Sequence, residues 1–136
     1  MTEDEAGEYA RAYAEAVAAV IGGDAAESET RVSPAPCENS RGEPAGDGRF
    51  YVQGNWQMPL PAAEHPGTLE RLREMWEAEG YQIKRFQMFN EVEGVIIAEN
   101  PSDQVEVIVE STMPPTALAV VVMTPCYQPA QPGQPG

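Results

Sequence analysis

Histidine and lysine each occur once in this chain and cysteine twice, and each scarcity removes a class of chemistry. With His65 alone, any triad or metal site that needs an imidazole has a single candidate. His65 stands before Pro66 in a loop at the expected start of a helix, with no Ser, Cys or Asp at a recognised nucleophile spacing. It is read as a surface or capping residue. Eight basic against 22 acidic side chains leave a formal charge of −14, so approach to a phosphate backbone would meet repulsion instead of releasing counterions. That argues against nucleic acid as a partner. No run reaches the roughly 18 apolar residues that span a bilayer.

Ligand-binding loops are missing as well. The segment "GEPAGDGR" (42–49) has three glycines, yet no expected strand precedes it and no lysine follows where a phosphate loop needs one. The segment "NPSDQVEVIVE" lacks the alternating oxygen ligands and central glycine of a calcium loop. Spacing singles out no pair among the 22 carboxylates for acid–base work. Accordingly no catalytic residue, metal site or cofactor is assigned.

What is present suits one domain. An apolar content of 42% in 136 residues supplies one modest core and not two. The cysteines are far apart, which fits neither a CxxC redox pair nor a four-ligand zinc site. In a reducing compartment they would be buried thiols. Both, however, sit beside proline in expected loops, as Pro36-Cys37 and Pro125-Cys126, and this setting favours a Cys37–Cys126 disulfide. Such a bond implies export. The stretch "MTEDEAGEYA" is acidic and has no apolar h-region. The expectation is therefore an extracellular or cell-envelope protein whose export segment, with any lipid anchor, lies upstream of Met1.

Residues 3–21 read as a helix with Tyr9, Tyr13, Val17, Val20 and Ile21 on one stripe, stopped by Gly22-Gly23, so that residues 1–23 form an amphipathic helix packed on the domain. Residues 24–48 are rich in Ser, Pro, Gly and Glu and read as a surface loop containing Cys37, with a short extended piece near Thr30 to Ser33. Residues 49–126 carry the core. In "RFYVQGNWQMPL" the residues Phe50, Val52, Trp56 and Met58 alternate onto one side, with a bulge expected near Gly54-Asn55. A second helix follows, with Pro66 in its first turn, Leu69, Leu72, Met75 and Trp76 inward, and Gly80 at its end.

Beyond Gly80 the period changes to two. Strands are expected at 81–89, 94–99, 104–110 and 117–124, separated by turns, as consecutive antiparallel hairpins. "ALAVVVMT" lacks alternation and reads as covered on both faces. The order predicts an α+β fold: an antiparallel sheet of four to five strands with two helices on it, the strand–helix–strand portion forming a right-handed crossover. A sheet wrapped about one long helix, as in cystatins, is the alternative. Residues 127–136, rich in Pro and Gly, are expected to be disordered or extended.

An N-terminal amphipathic helix, a cysteine in a polar loop, a strand, the helix "LERLREMWEAEGY", "MFNE" at Met88 to Glu91, paired strands and a closing cysteine together resemble the LppA-type lipoproteins of actinobacteria. The similarity extends over about residues 5 to 127. It implies an exported, lipid-anchored envelope protein and carries over the cysteine positions Cys37 and Cys126, but no catalytic residues. The functional expectation is a non-enzymatic binding or assembly module whose partner is another protein, engaged through a sheet face or the first helix. A carrier of an apolar ligand, lipid or peptide, between helix and sheet is the alternative, and a hydrolase comes third. Trp56, Trp76, Phe86, Phe89, Tyr9 and Tyr13 are the candidate contacts to an apolar ligand or partner.

Overall fold

In the computed structural model, which describes residues 1–128, Thr2 opens the first helix, α1 (Glu3–Ile21). The Thr2 hydroxyl accepts from the Glu5 N–H, and the Glu5 carboxylate accepts from the Thr2 N–H. Gly22, at φ 84°, closes α1 in the left-handed conformation that a side chain disfavours. The buried face is not the expected stripe of large residues. Ala6, Ala10, Ala14, Val17 and Ala18 face inward, and Tyr9 and Tyr13 lie at the margin. A face of small side chains lets the helix lie close on the sheet and turns the tyrosines to its rim.

Six antiparallel strands form one sheet in the order β1-β2-β6-β5-β4-β3, and with the helices packed on it the fold is α+β, as expected. The strands are β1 (Glu29–Pro36), β2 (Phe50–Pro59), β3 (Gln82–Met88), β4 (Gly94–Asn100), β5 (Val105–Ser111) and β6 (Ala117–Met123). One strand more than the expected maximum of five arises because β1 forms within the segment read as a loop, after a single turn, α2 (Ala25–Ser28), capped by the Asp24 side chain. β1 pairs with β2 from Glu29 opposite Trp56 to Pro36 opposite Phe50, with a bulge between Glu29 and Arg31. The irregularity expected at Gly54-Asn55 therefore lies on the partner strand.

Gly54 is present for a different reason. A Cβ there would lie 2.3 Å from the Trp56 ring and 3.2 Å from Val32, because the indole lies over the glycine. Gly54→Ala must push this nearly buried ring aside, and we expect it to cost about 1 to 3 kcal/mol in a urea unfolding curve. A change under a few tenths would contradict this packing.

After β2 the chain makes a 3-10 turn (Ala62–Glu64) and enters α3 (His65–Ala78), with Pro66 in the first turn. α3 connects β2 to β3 at the far edge. Four antiparallel steps separate these two strands, so they run parallel, as a crossover requires. α1 and α3 touch each other and lie on the same sheet face, unlike a sheet wrapped around one helix. Between helices and sheet, Trp56, Met58, Leu69, Leu72, Trp76 and Ile96 are each at most 2% exposed. β6 is not covered on both faces: Leu118, Val120 and Val122 are buried under the helices, whereas Ala119, Val121 and Met123 are half-buried on the other side. Its unbroken run of apolar residues reflects neighbours in the plane of the sheet, not a second layer.

Cys37 and Cys126 are disulfide-bonded, with Cα atoms 6.1 Å apart. Cys37 follows β1 and Cys126 follows β6, so the bond straps both neighbours of β2 across its start. Tyr127, placed by the sequence reading in the Pro/Gly tail, exchanges backbone hydrogen bonds with Phe50. Residues 129–136 lie outside the described residues.

Candidate functional site

Tyr9 and Tyr13, two of the expected ligand contacts, are engaged within the chain. They stand four residues apart on α1, and both hydroxyls donate to the same Oδ2 of Asp103 in the β4–β5 turn. The Asn100 amide donates to the Tyr13 hydroxyl at 2.9 Å, and Asp103 Oδ1 accepts the Val105 N–H at 3.0 Å. The cluster thus fastens α1 to the turn. Its hydrogen bond to Asp103, aided by burial, pushes the Tyr9 phenol up to about 12, and burial followed by the same carboxylate also raises that of Tyr13.

The folded state holds these phenols protonated beyond the pH at which they ionise in the unfolded chain. Their contribution is therefore complete below about pH 10 and is lost as the pH rises through the folded values. In an absorbance titration of tyrosinate we expect at least two tyrosines to ionise late, together with unfolding. Asp103→Ala should return them toward ordinary values and cost about 1 to 2 kcal/mol at pH 7. Unchanged titration in that variant would contradict the clamp.

His65 is fully buried, correcting the expectation of a surface or capping role. Its Nε2–H donates to the Leu60 carbonyl at 2.9 Å, and its Nδ1 accepts from the Ser111 hydroxyl at 2.9 Å. A carbonyl can only accept, so these partners fix the tautomer. Ser111 Oγ in turn accepts the Gly94 N–H at 3.1 Å. Serine and histidine are thus within the reach of a nucleophile and its base. The base, however, is sealed from solvent, and the arrangement ties the β2–α3 connection to the ends of β4 and β5.

The aromatic candidates separate. Trp56 and Trp76 are core residues, with Trp76 stacked on Tyr81 at 6.1 Å between centroids. Phe86 is half-buried against the core under the Arg73 guanidinium, 5.0 Å away. Phe89, in the turn after β3, is 47% exposed, with the Arg85 guanidinium 5.7 Å from its ring centroid. No apolar site is assembled from these six residues: Trp56 and Trp76 fill the space between helices and sheet, Tyr9 and Tyr13 share Asp103 at the margin of α1, and Phe86 and Phe89 each lie under a different arginine. Among the described residues no group of three or more His, Cys, Asp or Glu side chains is placed to hold a metal ion, and no helix is long and apolar enough to cross a membrane.

A sheet face is one of the two surfaces expected to engage a partner, and what sequence reasoning did not assemble is the set of residues on the face opposite the helices. Strand alternation sends Val121, Ile108 and Ile97 to that side, and the register sets them in one transverse row across β6, β5 and β4. The row continues through Asn55 to Arg31 at one edge and ends at Arg85 at the other. Met123 and Ala119 extend the apolar centre along β6, and Val95 on the same side of β4 is already buried by its neighbours. A polar hollow of about 250 Å³ lies beside it, lined by Arg31, Ser33, Tyr51, Gln53 and Asn55 among others. Lys84 bridges Glu106 at 2.8 Å and Glu99 at 3.6 Å on the same face. No described helix packs there.

Comparison of the chain with protein-family models, with curated proteins and with solved structures finds no match.

Proposed function

We propose that the chain is a binding or assembly domain of the cell envelope, working outside the cytoplasm in the manner of the LppA-type lipoproteins that its layout resembles. Its working surface is the uncovered sheet face. One observation carries this reading: a six-stranded sheet wears both long helices on one side and presents the aliphatic row Val121, Ile108 and Ile97 on the other. The Cys37–Cys126 bond supports the oxidising compartment. A ligand carried between helix and sheet would have to displace Trp56, Trp76, Leu69 and Leu72, which already occupy that space. A hydrolase would need a substrate to reach His65, which no solvent reaches.

Photo-crosslinking on intact cells tests the proposal. A photoreactive residue at exposed Glu110, on the uncovered face, is compared with one at exposed Glu70, on α3. The expected result is a protein adduct from position 110 in the envelope fraction and none from position 70. Adducts from position 70 alone, or a protein confined to the cytoplasm, would refute it.

A further inference from the structure

We infer that the uncovered sheet face binds a second copy of this chain, face to face, giving a two-fold dimer; the inference rests on the reading of that face as the working surface.

Charge comes first. The chain carries −14, yet the uncovered face holds three cations, Arg31, Lys84 and Arg85, against three carboxylates, Glu99, Glu106 and Glu110. It is a neutral window on an acidic molecule. Two such molecules repel through their other surfaces, and pairing these windows turns both acidic helix layers outward. A strongly basic partner would be drawn to the acidic surfaces instead.

The face is also self-complementary in kind. A two-fold contact uses the same patch twice, so that patch must offer both signs of charge around an apolar centre. Here the centre is aliphatic. Among the described residues Arg31, Arg85 and Glu110 have no ion-pair partner, whereas Lys84 is already held between Glu99 and Glu106. The copy can supply the missing counter-charges.

Size agrees with this occupant. Strands of about seven residues across six positions span roughly 23 by 24 Å, about 550 Å² in projection. Side-chain relief raises the accessible area toward the roughly 800 Å² per partner of a standard interface. Stacking of two sheets over such faces is a common arrangement. Edge-to-edge growth is blocked at one end, because Pro34 and Pro36 leave β1 without the N–H groups that another strand would need.

The test is light scattering and sedimentation on the full, oxidised chain over a concentration series, with three variants. The wild type should run at twice the monomer mass at tens of micromolar. Ile108→Lys, which places an extra charge at the centre of the face, should raise the dissociation constant on the order of 100-fold with circular dichroism and melting unchanged. Arg85→Glu changes an exposed edge residue that the fold does not need, and should weaken the dimer on the order of tenfold even if Ile108→Lys unfolds. Glu70→Lys, on the helix side, should leave it intact. A wild type that stays monomeric at all concentrations, or a dimer indifferent to both face variants, overturns the inference. In the crosslinking experiment an adduct of twice the chain mass from position 110 belongs to this dimer. A heterologous adduct with a monomeric wild type would refute the dimer while leaving the binding-module reading standing.

Discussion

Replacing Cys37 and Cys126 together by serine is expected to lower the unfolding free energy by about 4 to 5 kcal/mol, a large fraction of what a domain of this size possesses. The two sulfurs close a loop whose ends are 89 residues apart, which takes in β2, α3 and all the strands from β3 to β6. Loop-closure entropy in the unfolded chain accounts for the magnitude. The native geometry says where the loss begins: without the strap, β1 is an edge strand held to the sheet only through β2. Urea unfolding of the double variant, with reduced wild type as control, should show the midpoint falling by roughly 2 M or more. A loss below about 1 kcal/mol would mean that the bond is incidental.

His65→Ala should be the other severe change, at about 3 kcal/mol. It empties a fully buried site, orphans the Leu60 carbonyl and frees the Ser111 hydroxyl. Ser111→Ala should cost about 1 kcal/mol, and a double-mutant cycle should show coupling because the two side chains share a hydrogen bond. A buried catalytic histidine would behave differently, losing an activity with stability retained. A cost below 1 kcal/mol for His65→Ala would refute the structural role.

The strands beyond Gly80 were legible almost to the residue. "QVEVIVE" alternates cleanly, and Val105, Val107 and Val109 are buried as the pattern requires. The same holds for α3, whose Leu69, Leu72 and Trp76 face inward. β1 was not legible, because "ETRVSPAP" is an edge strand: only one of its sides is paired, its residues are exposed or half-buried, and its prolines read as loop. α1 misled in the opposite direction. Large residues suggested the buried stripe, but the sheet accepts alanines there and sends Tyr9 and Tyr13 to Asp103, a partner 90 or more residues away that no local pattern reveals. Of the uncovered face, the wet side of β5 with Glu106, Ile108 and Glu110 is legible in "QVEVIVE", and the rest is not. Arg31 and Arg85 come to the ends of one row only through the register of six strands, one of which had been read as a loop.

Counting free thiols in protein taken from the cells that make it, denatured without reductant and with alkylation at lysis, tests the account most directly. A disulfide-strapped envelope domain yields none. Two reactive thiols per chain would place the protein in a reducing compartment and contradict the account.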